Sequence, residues 1–241
     1  TLAAGASRTT AVLGLSQHIL PAGQGTRMRS RLPKVLQPLA GRPLLAHVVE
    51  CAVALEADDV CVVYGHGAEA VRNEFPGDSL RWALQAEQLG TGHAVQQAMP
   101  ETPDKNRVLI LFGDVPLLTP ATCQRLLDQT PDTDMAVLTV DIEDPTGYGR
   151  IIRESGIVSC IVEEKDAGPE EKAVCEINTG VLVCPAAKLK GWLDNLGNDN
   201  AQGEYYLTDA IAAAVNDGVA VHGVKADSFI EVMGINDKKQ L

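Results

Sequence analysis

Apolar residues along the chain fall into two patterns. Short, nearly unbroken runs at DVCVVYG (59–65), RWALQ (81–85), VLILFGD (108–114) and MAVLTV (135–140) read as strands. Most are continuously apolar, as strands covered on both faces must be. Between them the apolar spacing becomes helical. Leu45, Val48, Val49 and Ala52 stand at i, i+3, i+4 and i+7, and Leu207, Ala210, Ile211, Ala214 and Val215 repeat that stripe near the end. Strands alternating with helices predict the α/β class, with helices packed around a mixed, mostly parallel sheet.

The pattern changes after about residue 145. GYGRIIRESGIVSCIVE holds two β-rich runs about the turn Glu154-Ser155-Gly156, a hairpin signal rather than a crossover unit. EINTGVLVC follows as another strand. The expected arrangement is one domain, residues 16–241, whose β-rich second half forms a lobe over one end of the sheet. Residues 1–15 read as a divergent or tag-like N-terminus. Ahead of Ile19-Leu20 stand Ser16-Gln17-His18, three polar residues expected to weaken a central buried strand.

Composition narrows the function classes. Hydrophobic residues make up 45% and charged residues 22% of the 241, so the bulk of the chain can bury a core. The net charge of −12 opposes general nucleic-acid binding, which needs a basic footprint. Any anionic ligand must instead meet local bases or a metal ion. No apolar run approaches the ~18–20 residues of a spanning helix. The apolar core near the start, Ala11–Leu15, is too short for a signal peptide. No membrane role and a cytoplasmic location are expected. Cys51, Cys61, Cys123, Cys160, Cys175 and Cys184 show no close metal-ligand spacing and read as reduced, buried thiols.

Four groups of residues carry candidate chemistry. LPAGQGTRM (20–28), with Lys34 downstream, offers Gly23 and Gly25 for close approach of backbone N–H groups to phosphate, beside the cations Arg27 and Lys34. An ordinary tight turn is the alternative. In QAEQLGTGHA (85–94), Gln85 at a strand end has the paired donor and acceptor that can read a base edge, and Gly90 and Gly92 let the loop approach a flat ring. A helix entry capped by Thr91 is the alternative. In LFGDVP, Asp114 follows an apolar strand at the sheet's carboxyl end, where α/β sheets bind ligands. One carboxylate there suits Mg²⁺, and a loop cap is the alternative. A fourth group is Gly149, Glu163, Asn178 and Asn236, whose carboxylate and amides at strand ends are the usual tools for gripping sugar hydroxyls, although each alone reads as structural. His93 reads as packing or loop bonding.

The order of LPAGQGTRM, LPK, QAEQLGTGHA, GDVPL, DPTGYGRI, IVEEKDA, EINTG and NDNAQGEYYLTD resembles the uridyltransferase (pyrophosphorylase) domain of the bacterial bifunctional enzyme that makes UDP-N-acetylglucosamine. The resemblance runs from about residue 19 to the end. It implies a Rossmann-like nucleotidyltransferase fold. The implied reaction joins UTP and N-acetylglucosamine 1-phosphate into UDP-N-acetylglucosamine and pyrophosphate, for peptidoglycan and lipopolysaccharide synthesis. By position, Leu20, Ala22 and Gly23 would contact the nucleotide, and Arg27 and Lys34 would hold the phosphates. Gln85, Gly90 and Thr91 would read uracil. Asp114 and Asn236 would bind Mg²⁺. Gly149, Glu163 and Asn178 would seat the sugar, with Phe112 and Gly113 in the same cleft and Asn236 touching substrate as well as metal.

No hexapeptide repeat is present, so acetyl transfer is not expected of this chain, nor is the trimer of full-length relatives; a monomer is expected. Two alternatives remain: a sugar-phosphate nucleotidyltransferase of other specificity, and a non-catalytic nucleotide-sugar binder. Pro21 and Gln24, which depart from the family's first loop, motivate the second.

Overall fold

The computed structural model describes residues 14–20, 28, 30, 32–65, 68–77 and 79–241. Its strands are β1 (Leu15–Leu20), β2 (Pro38–Leu39), β3 (Arg42–Pro43), β4 (Asp59–Tyr64), β5 (Arg81–Leu84), β6 (Arg107–Phe112), β7 (Met135–Asp141), β8 (Arg150–Glu154), β9 (Ile157–Val162), β10 (Glu176–Pro185) and β11 (Val221–Lys225). Its helices are α1 (Leu44–Val53), α2 (Ala68–Glu74), α3 (Thr91–Ala98), α4 (Pro120–Asp128), α5 (Pro169–Lys172), α6 (Ala186–Asp194), α7 (Asp209–Asn216) and α8 (Phe229–Val232).

All strands but β2 and β3 join one nine-stranded sheet. Its main path runs β11-β7-β10-β6-β1-β4-β5, with β8 reached from β10 and β9 from β8. The pairs β1–β4, β1–β6, β4–β5 and β7–β11 are parallel. Strand β10 is antiparallel to both β6 and β7. The expected mixed, mostly parallel sheet is therefore present. The second half, however, is not simply a lobe laid over the sheet's end. β10 lies inside the main sheet, where its apolar VLVC segment is covered on both faces, and only the β8–β9 hairpin stands off the path.

Helices cover both faces. On one, α3, α6 and α7 pack over Leu20, Val63, Ile110 and Val137; on the other, α1 and α4 pack over Ile19, Val62, Leu109 and Leu138. Adjacent residues pointing to opposite cores explain the unbroken apolar runs. The apolar stripe 45–52 lies within α1 as its spacing requires. Leu207 precedes α7 and joins the core from the entering turn. The hairpin turn is where the sequence places it. Ser155 (φ 51°) and Gly156 (φ 85°) are both left-handed, the twist that suits a two-residue link between antiparallel strands.

Strand β1 is central despite Ser16, Gln17 and His18, all fully buried. Each finds a partner. Ser16 Oγ accepts from Asn106 Nδ2 at 2.9 Å, and Gln17 Nε2 donates to the Ala52 carbonyl near the end of α1 at 3.0 Å. His18 Nε2 meets Thr102 Oγ1 at 2.9 Å. The compensation is incomplete: among the described residues, Gln17 Oε1, His18 Nδ1 and Asn106 Oδ1 are buried without partners. Burial, reinforced by the Arg81 guanidinium and only partly offset by Asp59, holds the His18 imidazole down at about 3.

All six cysteines are free. Cys51, Cys61, Cys123 and Cys184 are buried as expected, whereas Cys160 is half-buried and Cys175 is exposed. Cys175 sits in the turn before β10, outside any apolar run. No described helix is long and apolar enough to cross a membrane.

Candidate active site

Topology brings the polar residues to one edge of the sheet. β1 and β6 are parallel, with Leu20 opposite Phe112, so their carboxyl ends emerge side by side. β10 runs the opposite way, so its first residues reach that same edge, with Asn178 opposite Thr139 near the end of β7. The β10–β7 register then breaks. From Asn178 to Leu182, four steps of β10 match only two of β7, Thr139 to Val137. Such an irregularity frees side chains from the ladder and re-aims them.

A charged cluster forms at this edge. Lys34, which follows β1, and Asp114, two residues past β6, are both almost fully buried and form an ion pair. Lys34 Nζ also donates to Asn236 Oδ1 at 2.8 Å. Asn236 is held in place by its neighbour, since the Ile235 N–H donates to the Asp114 carbonyl at 2.9 Å. Two oxygens predicted to bind metal thus converge on one cation, the Lys34 ammonium. This geometry suits a magnesium ion, which takes one or two protein oxygens and completes its shell with phosphate and water. Among the described residues there is no group of three or more His, Cys, Asp or Glu that could hold a metal ion.

A cavity of about 240 Å³ adjoins the cluster, with Phe112 on its wall two residues before Asp114. Thr91, Gly149, Glu163 and Asn178, predicted separately, all line it. Gly149 leaves room that a side chain would take, because a Cβ there would stand 2.9 Å from Ile161 Cγ2 and 3.4 Å from Glu163 Oε1. Asn178 Oδ1 accepts from the Gly180 N–H at 2.9 Å, which fixes the amide's orientation. Gly180 has a left-handed φ of 87°, and a Cβ there would lie 2.5 Å from the Phe112 ring. Glu163 accepts from the Thr208 hydroxyl at 3.0 Å. Burial, then the charges of Asp209 and Asp166, push its carboxyl above the ordinary range despite that bond.

Other predicted residues fall differently. Gly113 does not line the cavity. Its N–H donates to Leu20 O at 3.1 Å, and its α-carbon faces Leu45 and Val35. The Leu20 side chain is core, so only its backbone faces this edge. Gln85 is buried just past β5, and its Nε2 donates to Gly90 O at 3.0 Å and meets His93 Nδ1 at 3.2 Å. His93 bonds the loop, as its position suggests.

Gly90 and Gly92 make a close contact within the protein. A Cβ at Gly90 would lie 2.6 Å from Tyr205 O, and Gly92 N–H donates to that oxygen at 2.8 Å. The glycines let two loops zip together, QLGTG onto GEYYLTD. Thr91 does not cap α3. Its hydroxyl accepts from Leu207 N at 3.0 Å, tying the same two loops. Ala22, Gly23 and Arg27, with Pro21 and Gln24, lie outside the described residues.

Tyr148, Thr179, Gly180, Leu182, Leu207 and Thr208 also line the cavity and were not singled out from the sequence. Most stand inside the quoted motifs, in GYGRI, EINTG and YYLTD, but a motif does not say which of its residues turn inward. The β10 register break decides that for Thr179 and Gly180.

Comparison with known proteins agrees with this arrangement. Bifunctional protein GlmU of Azoarcus sp. (strain BH72) is 56% identical over 224 residues, 92% of this chain and 50% of that protein. Bifunctional protein GlmU of Pseudomonas aeruginosa (strain LESB58) is 56% identical over 229 residues, 95% of this chain and 50% of that protein. The chain thus spans about half the length of the curated relatives it matches. Among solved structures, a putative glucose-1-phosphate thymidylyltransferase from Bacillus anthracis superposes with a TM-score of 0.71 at 17% identity, over 89% of this chain and 87% of that one. A nucleotidyl transferase from Methanothermobacter thermautotroptrophicus superposes with a TM-score of 0.64 at 20% identity, over 94% of each chain. At such identities these two speak to fold alone. The MobA-like NTP transferase domain profile matches residues 18–163, more than half of the chain, from the polar first strand to the cavity carboxylate Glu163, and the chain belongs to that family.

Proposed function

We propose that this domain transfers UMP from UTP to N-acetylglucosamine 1-phosphate and releases pyrophosphate. One observation carries the reading. A cluster of a buried cation and carboxylate with a half-buried amide (Lys34, Asp114, Asn236) and a sugar-sized cavity share the carboxyl end of β6, with Asp114 and Phe112 only two residues apart. Such an edge can hold a nucleotide's phosphates against a sugar phosphate. The ordered motifs and the identity to bifunctional GlmU proteins support uridine and N-acetylglucosamine as the two partners.

The attacking group is a phosphate oxygen, already ionised at neutral pH, so no general base is required. The barrier is largely the repulsion and alignment of two polyanions. Asp114 and Asn236 would hold magnesium, which when bound supplies positive charge for the phosphates. Lys34 stands beside both and would hold phosphate oxygens, with Arg27 assigned the same task from its place in the glycine loop. Glu163 and Asn178 would accept and donate hydrogen bonds to sugar hydroxyls, and Gly149 gives the ring room. Gln85, by bracing Gly90, would set the uracil-reading loop. Residues 16–241 are taken as the unit that does this, acting in the cytoplasm.

The test is pyrophosphate release from UTP and N-acetylglucosamine 1-phosphate, with Mg²⁺ and then with EDTA. Release that needs both substrates and the metal supports the reading. Binding of UDP-N-acetylglucosamine with no release under any condition refutes it in favour of a non-catalytic binder.

A further inference from the structure

We propose that Thr208 is a positioning residue, whose hydroxyl clamps Oε1 of Glu163 and so aims the carboxylate into the sugar cavity. The inference rests on the cavity being the sugar site. Thr208 is buried, lines the cavity, and donates to Glu163 Oε1 at 3.0 Å. Its backbone is pinned by the QLGTG loop, since the preceding Leu207 N–H donates to Thr91 Oγ1 at 3.0 Å. The hydroxyl is therefore presented from a fixed point at the start of α7 rather than from a free loop.

Glu163 needs such a clamp because its surroundings oppose its charge. Asp166 on its own turn and Asp209 on α7 both repel it, the Tyr206 phenol lies nearby, and Gly149 of the facing loop offers no cation. The nearby Arg150 is spent elsewhere, on Glu164 at 2.6 Å and on the Tyr148 carbonyl. Thr208 is the side-chain hydrogen bond that opposes the upward push on the Glu163 carboxyl. A bond to an ionised acceptor is among the stronger kinds, and its loss is felt as misorientation and as weaker ionisation together.

The experiment compares Thr208→Val, Thr208→Ser, Glu163→Ala and the double variant Thr208→Val/Glu163→Ala. Thr208→Val should raise KM for the sugar phosphate about tenfold. KM for UTP should hold, kcat should change by less than about threefold, and the acid limb of kcat/KM should move to higher pH. Thr208→Ser should restore all of these. On the Glu163→Ala background, which removes the acceptor, Thr208→Val should add nothing. A Thr208→Ser variant as impaired as Thr208→Val would overturn the proposal, because packing of the methyl would then be the cause.

A substrate-free readout separates this idea from the assigned reaction. The carboxyl of Glu163, followed by carbon NMR through a pH titration, should titrate higher in Thr208→Val than in wild type. If that shift appears but no substrate pair releases pyrophosphate, the clamp stands and the assigned reaction fails. If wild type and Thr208→Val titrate alike, the clamp is wrong whatever the activity.

Discussion

Replacing His18 by leucine should flatten the acid dependence of stability. The imidazole is fully buried in the central strand, and burial holds it at about 3 against an ordinary value of 6.5. Below 6.5 the unfolded chain takes up a proton that the folded protein refuses, so stability falls as pH drops from 6.5 towards 3. Well above neutrality the two states bind equal numbers of protons and His18 adds no slope. Integrated between pH 7 and pH 5, the linkage amounts to about 2 kcal/mol of lost stability. Leucine removes the titration and also removes the partnerless Nδ1. Thr102 keeps its hydroxyl bond to the Ala98 carbonyl at 3.0 Å, so the change strands no buried donor there. Stability at pH 7 should therefore be equal or greater. Urea unfolding of both proteins at pH 7 and pH 5 measures the difference directly. If wild type and His18→Leu lose the same free energy between the two, the burial argument for His18 is wrong.

Other expectations follow from the same geometry. Gly180→Ala should cost about 2–4 kcal/mol in thermal or urea unfolding, from the left-handed backbone and the close Phe112 ring together; a variant within 0.5 kcal/mol (roughly the noise of a neutral surface change) would contradict the packing. Asp114→Asn should abolish metal-dependent pyrophosphate release and cost about 3–5 kcal/mol, since Lys34 is left buried without its counter-charge. Stability unchanged in that variant would show the ion pair to be solvated. Gln85→Ala should loosen the Gly90 loop and narrow the preference for UTP over other nucleotides; intact discrimination in a competition assay would remove Gln85 from base reading. A thiol reagent should label Cys175 readily in the native protein and reach Cys51, Cys61, Cys123 and Cys184 only on unfolding. Rapid labelling of all six sites would contradict the burial pattern.

The sequence by itself determined the class of fold and several of its elements. Continuous apolar runs mark β4, β6 and β7 because both their faces are covered, and two positive-φ-tolerant residues mark the β8–β9 turn. Both are local consequences of side-chain chemistry. The motifs drew attention to polar groups for the same reason, since phosphate, metal and sugar each demand particular residue types, and the fold brings Lys34, Asp114 and Asn236 together and Thr91, Gly149, Glu163 and Asn178 to one cavity. What the sequence left open depends on distance between remote segments. Only the tertiary structure decided that β10 enters the sheet antiparallel, carrying Asn178 to the edge where β6 ends, and that its register break turns Thr179 and Gly180 into the cavity. Only the fold showed Gly90 and Gly92 packed against the Tyr205 backbone. Only the fold gave Ser16, Gln17 and His18 partners on Asn106, Ala52 and Thr102, which lie 35 to 90 residues away along the chain. Polar groups in a central strand look like a defect until their hydrogen-bond partners are known, and those partners are set by packing.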